Sequence, residues 1–215
     1  MKKEIIIKLL LIAGLSCLLA CRLIIPSYQK EELIFQDSFS TNENNWDVWF
    51  ENGQSAASIV NGEMILIVEQ PNTDIISANS NSYPNIEMNV NAYKKFGSNN
   101  NVFGLVCRYL NEDNYYSFLI SSDGYYGIAK MFQGNYSLLS SDMMEYTESI
   151  NKDNAENVLS AVCLGNKLSF SLNDEPLVDV SDNDLRAGKN GLIVGSFEEI
   201  GELVVTFDDF SIKAR

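Results

Sequence analysis

Residues 102–131, VFGLVCRYLNEDNYYSFLISSDGYYGIAKM, hold three segments rich in aromatic and β-branched side chains. Two polar breaks divide them, Asn111-Glu112-Asp113-Asn114 and Ser121-Ser122-Asp123-Gly124. Breaks of that length, the second ending in Asp-Gly, mark hairpins. The pattern predicts a three-strand antiparallel meander near 102–110, 115–121 and 125–132, with Tyr115 and Tyr116 on opposite faces. Asn61-Gly62 between 56–60 and 63–69 predicts a second hairpin, and Gly165-Asn166 between 158–164 and 167–173 a third. Apolar residues alternate with polar ones through Ile86, Met88, Val90 and Ala92, as in a half-buried strand. Further strands are expected at 33–39, 74–78, 177–180, 191–197 and 202–213, and a loop over 140–156. After residue 20 no stretch keeps helical spacing. Many short strands separated by turns predict an all-β sandwich or barrel.

Residues 1–21, MKKEIIIKLLLIAGLSCLLAC, have a different character. Lys2 and Lys3 precede an apolar run too short for a membrane span, with small residues at its end. That is the plan of a secretory signal peptide. Its ending, Leu18-Leu19-Ala20-Cys21, resembles the lipobox of bacterial lipoproteins, which implies lipidation at Cys21 after removal of residues 1–20. Cys17 is a weaker alternative; an uncleaved anchor or an ordinary secretory signal also remains open. Residues 21–32, with Pro26, read as a tether, leaving 33–215 as one domain.

Export changes the reading of Cys107 and Cys163, which lie in two predicted strands. In an oxidising compartment they are expected to form a disulfide, with two buried thiols as the alternative. Two isolated cysteines and no histidine leave too few ligands for a zinc site. The formal charge is −14. Removing residues 1–20 takes away Lys2, Lys3, Lys8 and Glu4, leaving 12 basic and 28 acidic residues, a charge of −16. Phosphate backbones and anionic head groups repel such a domain. Nucleic acid is therefore excluded as a partner, and the expected membrane contact is through the lipid anchor only.

Several fragments in order carry a resemblance to a known family. They are Asp37-Ser38-Phe39 with Trp46 downstream, Ile59-Val60-Asn61-Gly62-Glu63, and Gly104-Leu105-Val106-Cys107-Arg108-Tyr109. Asn114-Tyr115-Tyr116-Ser117-Phe118, Asp123-Gly124-Tyr125-Tyr126, Gly165-Asn166, Asn173, Gly191-Leu192 and Phe207-Asp208-Asp209-Phe210 complete the series. Together they resemble the concanavalin A-like lectin/glucanase jelly rolls, specifically the bacterial laminin G-like family of 3-keto-disaccharide hydrolase type. The resemblance implies two antiparallel sheets with the first and last strands paired.

Glucanases of this fold carry a Glu-x-Asp-x-x-Glu strand motif, which is absent here. Without histidine, Ser-His-Asp and Cys-His nucleophiles are excluded. Two other constellations remain. Pairing of the first and last strands brings Asp37 near Asp208 and Asp209, a carboxylate set suited to structural Ca2+. Because Phe207 and Phe210 are three apart, the last strand must bulge at these aspartates. Aromatic faces with planar hydrogen-bonding groups hold sugars, and the meander gathers Arg108, Tyr115, Tyr125 and Tyr126, with Tyr109 and Tyr136 near them. The reading is thus an exported, lipid-anchored protein of the cell envelope that faces the extracytoplasmic side. It binds carbohydrate or a surface protein without catalysis. The alternatives are a glycan-active hydrolase and a structural or protein-binding envelope module.

Overall fold

The structure, a computed structural model, describes residues 32–51, 55–197 and 201–215. The expected signal peptide, Cys21 and nearly all of the tether lie outside the described residues. The chain forms β1 (Glu32–Asp37), β2 (Trp49–Glu51), β3 (Ser55–Val60), β4 (Glu63–Val68), β5 (Asp74–Ser82) and β6 (Ile86–Phe96). There follow β7 (Asn101–Asn111), β8 (Asn114–Ile120), β9 (Tyr125–Phe132), β10 (Asn135–Leu138) and β11 (Glu145–Tyr146). The last are β12 (Glu156–Leu164), β13 (Lys167–Leu172), β14 (Glu175–Ser181), β15 (Lys189–Ser196) and β16 (Leu203–Ala214). No helix occurs among the described residues.

Two antiparallel sheets result. The larger runs β14-β13-β12-β6-β16-β4-β3-β2, with β1 paired on β16; the smaller runs β10-β9-β8-β7-β15-β5, with β11 paired on β9. The meander stands as β7-β8-β9, and the first and last strands pair as expected. Asn61 and Gly62, at φ 54 and 84, close the hairpin of β3 and β4 with the two positive angles of a type I′ turn. The expected bulge appears where the register of β16 against β6 shifts between Asp208 and Ser211, with Asp209 at φ 52. Three departures concern short elements, and the first of them is β2. Residues 140–156, expected as a loop, contain β11, and β10 follows the Gln133-Gly134 turn. Both consist mostly of exposed residues, so neither shows an apolar alternation.

Period-two alternation divides the smaller sheet into two faces. Phe103, Leu105 and Cys107 of β7, Tyr116, Phe118 and Ile120 of β8, and Leu192 and Val194 of β15 join the main core. There they meet Met88 and Val90 of β6, Leu159 and Ala161 of β12, and Val205 and Phe207 of β16 from the larger sheet. The intervening residues Val102, Val106, Tyr115, Leu119, Ala129 and Ile193 form a separate apolar cluster on the outer face. This outer face carries the candidate site.

Candidate functional site

Tyr109, Met131, Leu138 and Met144 pack on the edges of the outer-face cluster. They leave a groove with two connected depressions. One, of about 580 Å³, is lined by Asp47, Trp49, Asp74, Tyr109, Glu112 and Tyr115 among others. The second, of about 300 Å³, includes Asp74, Tyr115, Ser117, Tyr136, Ile193 and Phe197. Asp74 and Tyr115 belong to both. Among the described residues no lysine or arginine lines either depression.

Asp74 is placed by alternation and by a glycine. It pairs with Gly195 across β5 and β15, and a Cβ at Gly195 would overlap Asp74 Oδ1. The carboxylate therefore folds over the sheet face. Among the described residues no hydrogen-bond donor or cation reaches it. Water touches the group from the open side while protein crowds it from the others. This partial desolvation raises its pKa above the ordinary 3.8. Burial, with the charge of Asp74 added, also pushes the phenols of Tyr115 and Tyr136 upward. Burial and the charges of Glu112 and Asp47 do the same to Tyr109. All three phenols stay protonated at neutral pH and offer O–H donors beside apolar ring faces.

The structure brings together only part of the set expected from sequence. Tyr115 lies in the groove, 3% exposed, with its ring 6.0 Å from that of Tyr109. Tyr125 is 41% exposed on the same sheet and stacks edge-on against Tyr146 at 5.6 Å, but lines neither depression. Arg108 and Tyr126 must be corrected, because both point into the protein. Arg108 is 1% exposed and donates to the carbonyls of Leu185 at 2.8 Å and Pro84 at 3.2 Å. Tyr126 packs in the main core and its hydroxyl donates to Glu145. Neither side chain presents a surface to a ligand.

The cation set is corrected as well. The Asp37 carboxylate is buried and already accepts from the Phe39 N–H at 2.8 Å, Asn44 Nδ2 at 2.8 Å and Trp46 Nε1 at 2.7 Å. Asp208 accepts from the Asp209 N–H, and Asp209 from Asn91. Among the described residues no group of three or more acidic, cysteine or histidine side chains is arranged to hold a metal ion. Cys107 and Cys163 are bonded to each other.

Asp74, Trp49 and Phe197 escaped the sequence reading. Alternation places Asp74, Ile76 and Ala78 on one face of β5, but it does not say which face looks outward. Trp49 sits in a three-residue strand and Phe197 just past the end of β15, where no period is readable.

No protein family and no curated protein matches this sequence. Solved structures do match its fold. The carbohydrate-binding module CBM66 from Bacillus subtilis superposes with a TM-score of 0.62 at 18% identity, covering 79% of this chain and 95% of that one. The Bacillus licheniformis β-glucanase gives 0.61 at 11% identity over 87% of this chain and 100% of that one. This is a concanavalin A-like jelly-roll sandwich. A Bacillus subtilis protein of unknown function with a galectin-like fold is similar too, with a TM-score of 0.61 at 11% identity over 86% and 97% of the two chains. Identities this low establish the fold alone, and the fold hosts binding modules and hydrolases alike.

Proposed function

We propose that this is an exported, lipid-anchored protein of the cell envelope that binds carbohydrate in the outer-face groove. One observation carries the reading: Trp49, Tyr109 and Tyr136 line a groove floored by the buried Tyr115, and the groove also offers the carboxylate of Asp74, which no described residue partners. Ring faces hold the apolar faces of sugars, and phenols and carboxylates hold their hydroxyls. The absence of lysine and arginine from the lining, beside Asp47, Asp74 and Glu112, disfavours glycans bearing carboxylate or sulfate. The ligand class is neutral polysaccharide. That the fold is similar to that of a carbohydrate-binding module supports the reading.

Electrophoresis of the full chain in gels containing neutral glucans or xylans tests it. Retardation by a neutral polysaccharide, lost in Tyr136→Ala and absent with alginate, is the expected result. Equal mobility in every gel removes the carbohydrate reading and leaves a protein-binding envelope role. Asp74 favours a second reading, glycan hydrolysis, because a carboxyl with a raised pKa suits a general acid. Release of reducing ends that stops in Asp74→Asn, while retardation persists, would select it.

A further inference from the structure

A third depression adjoins the second at Ser196 and Phe197. It has a volume of about 460 Å³ and its walls include Phe96, Asn100, Asn154, Ser196, Phe197 and Glu202. Ser196 and Phe197 also line the second depression of the groove, so the two share a wall. Phe96 is 60% exposed and Phe197 38% exposed. Two aromatic side chains held open to water beside amide groups form the same chemistry as the groove, at a different place. Among the described residues no lysine or arginine lines this depression either.

The wall is braced from below. Gly97, at φ 107, lets the chain turn against β16, since a Cβ there would lie 2.7 Å from the Glu202 carbonyl oxygen. Lys94 is 2% exposed and turns its ammonium inward, donating to the Gly97 carbonyl at 3.0 Å and to Asn99. Asn99 in turn donates to Asp153 at 2.5 Å. The buried Asn101 donates to the Ser98 carbonyl and to Ser122 Oγ. A buried lysine spent on holding residues 97–99 makes the wall rigid before any ligand arrives, which lowers the entropic cost of binding.

We propose that this pocket is a further subsite of the same ligand track, so that one linear neutral polysaccharide runs through the groove and ends its contact between Phe96 and Phe197. The inference rests on the carbohydrate reading and adds the length of the ligand. A single sugar fills one depression; three depressions of about 580, 300 and 460 Å³ in series select an extended chain. Affinity therefore grows with the number of sugar units, and the contribution of the last units comes from the two phenylalanines.

Calorimetric titration of the full chain with laminari- and xylo-oligosaccharides of two to six units tests this. Both phenylalanines are exposed, so Phe96→Ala and Phe197→Ala, alone and together, leave the fold intact, as a matching thermal midpoint will show. The expected result is an affinity that rises with length. Phe96→Ala, which touches neither depression of the groove, loses about tenfold for the hexasaccharide and stays within about twofold of wild type for the disaccharide. The double variant also removes a wall of the second depression and weakens both. Tyr136→Ala, at an exposed residue of the groove, weakens every length. If Phe96→Ala binds the hexasaccharide as wild type does while Tyr136→Ala weakens binding, the extension is wrong and the groove reading stands. If wild type binds no member of either series, the groove reading fails and the extension falls with it.

Discussion

Three donors converge on the Asp37 carboxylate, and their identity explains why an acid sits in the core. The Trp46 N–H is the shortest of them, and the Trp46 ring packs 5.3 Å from Phe39 and 5.1 Å from Phe210. Without the carboxylate, the indole and the Phe39 amide would be buried donors with no acceptor. Asp37→Ala is expected to destabilise the domain by about 2–4 kcal/mol in urea unfolding. EDTA should leave the wild-type midpoint where it is. A calcium-dependent gain in wild-type stability that Asp37→Ala abolishes would restore the cation reading. Arg108 shows how single residues mislead a sequence reading. Alternation from Val102, Gly104 and Val106 puts Arg108 on the outer face with them. The pairing of β7 with β8 shifts after Cys107, and Arg108 takes φ 54, which turns its side chain inward. A bulge changes the face of every residue beyond it, and nothing in the local residue types announces this one.

Between β14 and β15 the chain crosses from one sheet to the other, and a polar clasp holds the crossing in place. Lys130 of β9 reaches Asp182 at 2.6 Å and Asp184 at 2.5 Å. The Tyr116 hydroxyl donates to Asp182 and accepts from the Leu185 N–H at 3.0 Å. Burial alone would raise the pKa of Asp182, but the hydrogen bonds from Lys130, Tyr116 and the Asp184 amide outweigh it and leave the value below the ordinary 3.8. Burial pushes the Tyr116 phenol up to about 12, and its bond to Asp182 acts in the same direction. For Lys130, burial lowers the pKa, and its two carboxylate partners more than reverse the effect. A carboxyl whose pKa is lower in the fold than in the open chain stabilises above the open-chain value, and that gain is lost as pH falls through the folded one. The clasp is therefore intact at neutral pH and weakens in the acid range below about 4. Asp182→Asn should cost about 1–2 kcal/mol at pH 7, with the difference from wild type shrinking as pH drops toward 2. A difference that stays constant over that range would mean that the charge of Asp182 does not contribute. Elements of this kind are also where sequence reading stops. The strands of the meander and of the 56–69 hairpin were legible because alternation and turn residues coincide. Asp182 and Lys130 are 52 positions apart, and no local pattern links them.

At the scale of the whole molecule, the two sheets are tied by one covalent bond. Cys107 belongs to β7 of the smaller sheet and Cys163 to β12 of the larger, both fully buried and 56 positions apart in sequence. Closing a loop of that length lowers the entropy of the unfolded chain and is worth about 4 kcal/mol in the chain-entropy account. The bond also connects the architecture to the cell. A disulfide at this position is kept in an oxidising compartment and lost in a reducing one, so its state in protein drawn from cells tests the proposed export independently of the proposed lipid anchor. Because neither sulfur touches solvent, a thiol reductant reaches the bond only through opening of the sandwich, and urea should accelerate reduction in step with unfolding. In protein drawn from its native cells, alkylation in denaturant without reductant is expected to leave Cys107 and Cys163 unmodified, and prior reduction to expose both. Replacing both cysteines by alanine should lower the urea midpoint while leaving glycan retardation in place, since the bond lies in the core and the groove on the outer face. Alkylation of both cysteines without reductant would instead establish two buried thiols, and the sheets would then be held by packing alone.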